Sequence, residues 1–206
     1  METTQKNKIG LIIVDPFNDF LSEGGKLWDY VKETVTANKV VDNLSMLLKE
    51  ARKNKIKVFY APHRNTLKDD YLGWNFLSPS QAGSKNSRAF EKDSWGAEFH
   101  PKLEPETGDL ITQQHWTASG FANTDLDFLL KKHEINSVVI AGMRANTCIE
   151  STARYAIELG YNVTLIKDAV GSFNWDEMKA TIEINFPVFG HTVQTTQEFV
   201  DQLNHK

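Results

Sequence analysis

The sequence predicts an α/β fold, a three-layer α/β/α arrangement in which helices cover both faces of a mainly parallel, Rossmann-like sheet of six strands. Two observations lead there. Short runs rich in β-branched residues alternate with longer stretches of helical spacing, the pattern of a parallel sheet wrapped by helices. The chain has 206 residues, 40% hydrophobic and 24% charged, with no internal repeat and no low-complexity tract, which suits one compact domain spanning 1–206.

In chain order the strand-like runs are Ile9–Val14, Ile56–Ala61, Asp109–Gln113, Ser137–Ala141, Asn162–Ile166 and a weaker Thr192–Gln194. Between the first two, Val40, Val41, Leu44, Leu47, Leu48 and Ala51 form one apolar stripe of a helix. Its basic end, Arg52-Lys53-Asn54-Lys55, reads as a solvated helix terminus. Thr124 caps a second helix whose Leu126, Leu129 and Leu130 face inward. A third begins near Cys148, carries Ala153, Ala156 and Ile157 on one face, and stops at Gly160. Two stretches escape this alternation: Pro16 to Thr36, and His63 to Thr107. The second holds Trp74, Phe76, Phe90, Trp95 and Phe99, too apolar for a solvated linker, so it should fold back over the sheet or join a subunit interface.

Charge and cysteine content exclude several functions. A net charge of -4 and no basic run longer than two residues leave no footprint for nucleic acid or anionic lipid. Ile9–Val14 is too short to span a bilayer or to act as a secretory core, so a cytoplasmic location is expected, and no membrane partner. The lone Cys148 fits a reducing compartment and draws attention as a reactive thiol.

In a doubly wound sheet, ligands bind beyond the carboxyl ends of the strands, where strand order reverses. Asp15 ends the first strand, Gln114 and His115 follow the third, and Cys148 follows the fourth. A cysteine at a helix N-terminus gains free N–H groups and a dipole that favour thiolate and could hold an oxyanion, while Asp15 could relay a proton during acyl transfer. Phe17, Trp95 and Trp116 read either as core or as walls for a small planar or apolar substrate, and Asn18 as a turn former or a site residue.

Three segments give the chain a family likeness: Leu11-Ile-Ile-Val-Asp15-Pro-Phe-Asn18-Asp19-Phe20; Gly108-Asp109 leading to Ser119-Gly-Phe121-Ala-Asn-Thr124; and Ala141-Gly142-Met-Arg-Ala-Asn-Thr-Cys148-Ile-Glu-Ser-Thr152-Ala153. Taken in order, they make the sequence resemble the isochorismatase-like cysteine hydrolases, which include nicotinamidases, N-carbamoyl amide hydrolases and isochorismatase. The resemblance implies an Asp-Lys-Cys triad, a thioester intermediate in the amidases, and a non-proline cis peptide, here between Met143 and Arg144. It aims the backbone N–H groups of Arg144 and Cys148 at the oxyanion. It also implies a homodimer or homotetramer acting on a small molecule without a cofactor, with Phe17, Asn18, Phe20, His63, Trp95, His115, Trp116, Phe121 and Asn146 about the substrate.

Carried across, the nucleophile falls on Cys148 and the acid/base on Asp15. The lysine position falls on Gln114 when counted from Gly108-Asp109 and on His115 when counted back from Phe121, with Gln114 favoured because insertions are poorly tolerated in a strand. Nicotinamidases of the family hold a metal with an Asp and several His after the second strand; only His63 stands there, so no metal is expected. The expected reaction is C–N hydrolysis of an amide or carbamoyl compound. Isochorismate-type ether hydrolysis, or a non-catalytic binding protein lacking the lysine, are the alternatives.

Overall fold

Six parallel strands form the sheet in the computed structural model of the protein, which describes residues 8–116 and 118–204. They are β1 (Ile9–Val14), β2 (Lys57–Ala61), β3 (Leu110–Ile111), β4 (Ser137–Met143), β5 (Asn162–Gly171) and β6 (Thr192–Gln194), ordered β3-β2-β1-β4-β5-β6. The helices are α1 (Asn18–Leu21), α2 (Trp28–Ala37), α3 (Val40–Lys53), α4 (Pro79–Ser87), α5 (Leu126–Lys132), α6 (Glu150–Glu158), α7 (Trp175–Lys179), α8 (Phe186–Phe189) and α9 (Thr196–Asn204). The chain builds outward from β1 to β3, then crosses back and builds outward from β4 to β6. Strand order therefore reverses between β1 and β4.

Period-two alternation sends each central strand's side chains to two separate cores. Leu11, Ile13, Val58, Tyr60, Val139 and Ala141 meet α2, α3 and α9 on one face. Ile12, Val14, Phe59, Ala61, Val138 and Ile140 meet α5, α6 and α8 on the other. Both faces are dry, which makes this a three-layer α/β/α fold.

Local differences from the sequence expectations have identifiable causes. The basic end of α3 is not simply solvated, because Arg52 reaches the buried Asp109 at 2.6 Å and also holds Glu106 and the carbonyl of Glu104. Strand β5 continues past Ile166 through the polar Lys167-Asp168, where Asp168 accepts hydrogen bonds from Thr196 N–H and Oγ1 at 2.7 and 2.9 Å. The stretch Pro16 to Thr36 carries α1 and α2, and buried Asp19 ties it to the next long segment by accepting from the N–H groups of Lys26 and Phe90 at 2.8 and 2.6 Å. That second segment, His63 to Thr107, folds back over the sheet end as expected: Phe99 stacks on Phe17 and Phe90 packs against it at a tilt, with centroids 5.4 and 5.0 Å away. It includes α4, which has no buried residue. Among the described residues no helix is long and apolar enough to cross a membrane.

Candidate active site

The reversal of strand order brings the ends of β1 and β4 together, and the chemistry-bearing residues collect there. Asp15 follows β1 directly at φ 50°, in the left-handed region, and its carboxylate is fully buried. One oxygen, Oδ1, accepts from the backbone N–H of His63 at 2.6 Å and lies 3.0 Å from Nε2 of His115. His63 and His115 follow β2 and β3 as a parallel bridge pair, so the loops after both strands converge on the same carboxylate. The other oxygen, Oδ2, is buried, and no nitrogen or oxygen donor among the described residues reaches it. Sγ of Cys148, a carboxylate oxygen of Asp15 and a ring nitrogen of His115 all lie within 4.8 Å of one another.

Cys148 sits in a π-helical turn, Ala145–Ile149, that runs into α6. The cis peptide between Met143 and Arg144 stands where the family likeness implied it. Just before it, Gly142 has φ +122° and its α-carbon lies against β1, so a Cβ there would overlap the carbonyl oxygen of Val14. Only glycine lets β4 approach β1 this closely at the turn into the cysteine loop.

Electrostatics assign the resting protonation states. Burial pushes the Asp15 carboxyl up, but the charge and hydrogen bond of His115, aided by His63 and the Cys148 thiol, outweigh it and hold the group below the ordinary carboxylate range. Burial, followed by the charge and hydrogen bond of Asp15, pushes the Cys148 thiol well above its ordinary value; Thr147 and Arg144 pull it back only in part. The helix-start expectation of a ready thiolate therefore fails: the resting pair is a carboxylate beside a neutral thiol. Burial and the adjacent His115 hold the His63 ring below its usual value, so it is neutral at pH 7.

A cavity of about 680 Å³ opens above this pair. Phe20, His63 and Trp116, expected near the substrate, line it together with Arg144, Cys148 and Asp15. His115 stands behind Asp15, fully buried, rather than in the cavity wall. The Gln114 alignment is corrected: its side chain points outward and exchanges hydrogen bonds with Asn65, at 3.0 Å to the backbone N–H and 2.9 Å to Oδ1, leaving His115 against Asp15. The reason is that β3 contains only Leu110–Ile111, so the count from Gly108-Asp109 runs out of strand before it reaches the site.

Phe17, Asn18, Trp95, Phe121 and Asn146 do not line the cavity. Phe17 packs between Phe90 and Phe99, and Phe121 stacks on Tyr155. Asn18 donates to the carbonyl of the half-exposed Trp95 at 3.0 Å, pinning α1 to the turn beyond it. Asn146 lies outside and accepts from Arg144 at 3.0 Å. Sequence reasoning missed Phe173 and Glu177, which meet Arg144, and α4, which forms the opposite wall. The signal for α4 was the capping box Ser78-Pro79-Ser80-Gln81 rather than any apolar stripe.

The expectation of no metal rested on the lack of clustered histidines in sequence. Asp15, His115 and Cys148 nonetheless form a donor set of oxygen, nitrogen and sulfur that a borderline-soft divalent ion could use. Nδ1 of His63 lies 2.9 Å from the carbonyl oxygen of Arg64.

The chain is similar to an isochorismatase family protein of Bacillus subtilis strain 168, 34% identical over 168 residues that cover 81% of this chain and 85% of that one. It is also similar to the ureidoacrylate amidohydrolase RutB of Acinetobacter baylyi, 29% identical over 95% of this chain and 83% of that protein. Among solved structures, a cysteine hydrolase from Pseudomonas syringae superposes with a TM-score of 0.80 at 23% identity, covering 96% of this chain and 93% of that one. N-carbamoylsarcosine amidase from Thermoplasma acidophilum superposes with a TM-score of 0.69 at 24% identity, over 92% and 96% of the two chains. The Isochorismatase domain pattern matches residues 10–198, and this chain belongs to the isochorismatase family of hydrolases.

Proposed function

We propose that the protein hydrolyses the C–N bond of a small amide or carbamoyl compound through a thioester on Cys148, working as a single catalytic unit across the chain. The observation that carries this reading is the division of labour at Asp15: Oδ1 is held by two nitrogen donors, no nitrogen or oxygen donor among the described residues reaches the buried Oδ2, and the neutral thiol lies beside the carboxylate.

In the first half-reaction Asp15 takes the thiol proton as Sγ bonds to the carbonyl carbon, so the thiolate forms only as it attacks. The backbone N–H groups of Arg144 and Cys148 take the resulting oxyanion. Asp15 then returns the proton to the leaving nitrogen as the C–N bond breaks, leaving the thioester. In the second half, Asp15 takes a proton from water, the hydroxide adds to the thioester carbon, and the proton returns to sulfur as the acid departs. His115 fills the place that the family likeness gives to lysine, orienting Asp15 by its Nε2 contact. Loss of the lysine therefore leaves a complete proton-transfer pair, which favours an enzyme over a non-catalytic scaffold. RutB is a ureidoacrylate amidohydrolase and a structural neighbour is an N-carbamoylsarcosine amidase, which supports amide rather than ether chemistry. Leu72 and Phe76, 75% and 93% exposed, support assembly into a homodimer or homotetramer.

The test is a turnover screen over small amides, ureido compounds and isochorismate, run beside Cys148→Ala. We expect release of ammonia or amine from at least one amide, with kcat/KM reduced about 10³-fold or more in the variant. Turnover of isochorismate alone, or amide turnover that survives Cys148→Ala, contradicts the reading.

A further inference from the structure

Above the reacting pair, the cavity carries few charges. Its charged lining residues are Asp15, Arg144 and Glu177, so with both carboxylates ionised the wall carries one net negative charge. The single cation is already committed. Arg144 donates from one guanidinium nitrogen to Glu177 Oε2 at 2.8 Å and to Asn146 Oδ1 at 3.0 Å, and its guanidinium carbon lies 3.9 Å from the centroid of the Phe173 ring. Glu177 is anchored in turn, since Oε2 also accepts from Ser172 Oγ at 2.6 Å and from the backbone N–H of Phe173 at 3.2 Å. A substrate carboxylate reaching Arg144 would meet a guanidinium whose charge is already balanced by Glu177 and whose face is covered by Phe173, and it would place a second anion beside the partly buried Glu177. Phe20, Phe90, Trp116 and Phe173 add aromatic surface that suits a flat apolar body, while α4 lends the uncharged polar side chains of Ser80, Gln81 and Ser84.

We infer that the Arg144–Glu177 pair makes this cavity selective for uncharged amides with a flat apolar body and turns away substrates that carry a carboxylate. Glu177 is thus a specificity-determining residue: it neutralises the one arginine that would otherwise recruit an anionic substrate. The inference rests on the amide-hydrolase reading for its reacting group, but the selectivity is a property of binding and is measured separately.

Benzamide and 4-carboxybenzamide share a body and differ by one carboxylate, so they serve as the probes. Their affinities are measured by calorimetry in the full-length Cys148→Ala protein, which blocks turnover, and then with Glu177→Gln added. Glutamine keeps an acceptor for Ser172 and Phe173, so the fold is retained. We expect benzamide to bind at least ten-fold more tightly than 4-carboxybenzamide with Glu177 present, and the ratio to fall by ten-fold or more in Glu177→Gln. In Arg144→Gln/Glu177→Gln, which loses both charges but keeps Asp15, the preference for benzamide returns. Equal binding of the two probes, an unchanged ratio in Glu177→Gln, or no binding of benzamide at millimolar concentration overturns the inference. Selective binding in a protein that hydrolyses no amide would contradict the proposed reaction and leave the selectivity standing. Cys148-dependent turnover that is indifferent to a carboxylate would do the reverse.

Discussion

At Asp15 two opposing effects set the acid limit of the enzyme. Burial favours the neutral acid, and the neighbouring His115 is the first of the contributions that reverse it. In the wild type the carboxylate therefore stays ionised below the ordinary aspartate range, near 3.9 in model peptides, and the rate is lost only as pH falls through that depressed value. His115→Ala removes both the charge and the Nε2 contact, so burial wins and the acid limb moves to higher pH. Measuring the rate of Cys148 acylation by p-nitrophenyl acetate against pH in both proteins checks this. An unmoved acid limb would show that His115 does not hold Asp15 down. The accompanying rate at pH 7 should fall about 10²-fold, the scale of a mispositioned general base. Sequence order offered both Gln114 and His115 and favoured the wrong one: they are adjacent in a segment with only two residues of strand before it, where alternation gives no guide to which side chain turns inward.

At the scale of elements, the sheet was readable because its strands are short apolar runs buried on both faces, and the helices α3, α5 and α6 because each buries one stripe. The missed elements lack that signature. Helix α4 buries nothing, and α2 follows Gly24-Gly25 with only Val31, Thr34 and Val35 buried. Glu177 was invisible for a related reason: its ion pair with Arg144 spans 33 residues and joins the turn after β4 to α7, a helix too short to show periodicity. Gly142 is the element-scale feature most exposed to test. Alanine there meets both a left-handed backbone and the Val14 carbonyl, so Gly142→Ala should cost about 2–3 kcal/mol or more in urea unfolding. A loss below about 0.5 kcal/mol, the size of an ordinary surface change, would mean that β4 does not need the close approach.

For the molecule as a whole, the active site exists only when four strand ends are brought together. Asp15 comes from β1, His63 and His115 from the loops after β2 and β3, and Cys148 from the turn after β4. Sequence order separates His115 from Asp15 by 100 residues, yet the parallel topology places both beside the same thiol. The central claim is that Asp15 serves as the proton acceptor that makes buried, neutral Cys148 a nucleophile. Removing Asp15 has two opposed effects, since it lifts a negative charge that keeps the thiol protonated but also deletes the carboxylate beside it. The lost acceptor dominates, because the other group held near Sγ, His115, turns its Nε2 toward residue 15 rather than toward the thiol. Rapid-quench intact-mass spectrometry with p-nitrophenyl acetate, followed by peptide mapping, measures this directly in wild type, Asp15→Asn and Cys148→Ala. The account predicts one acetyl group on the Cys148 peptide of the wild type, acetylation about 10² -fold slower in Asp15→Asn, and none at that peptide in Cys148→Ala. Acetylation at an equal rate in Asp15→Asn, or a first acetyl group on any residue other than Cys148, would contradict it.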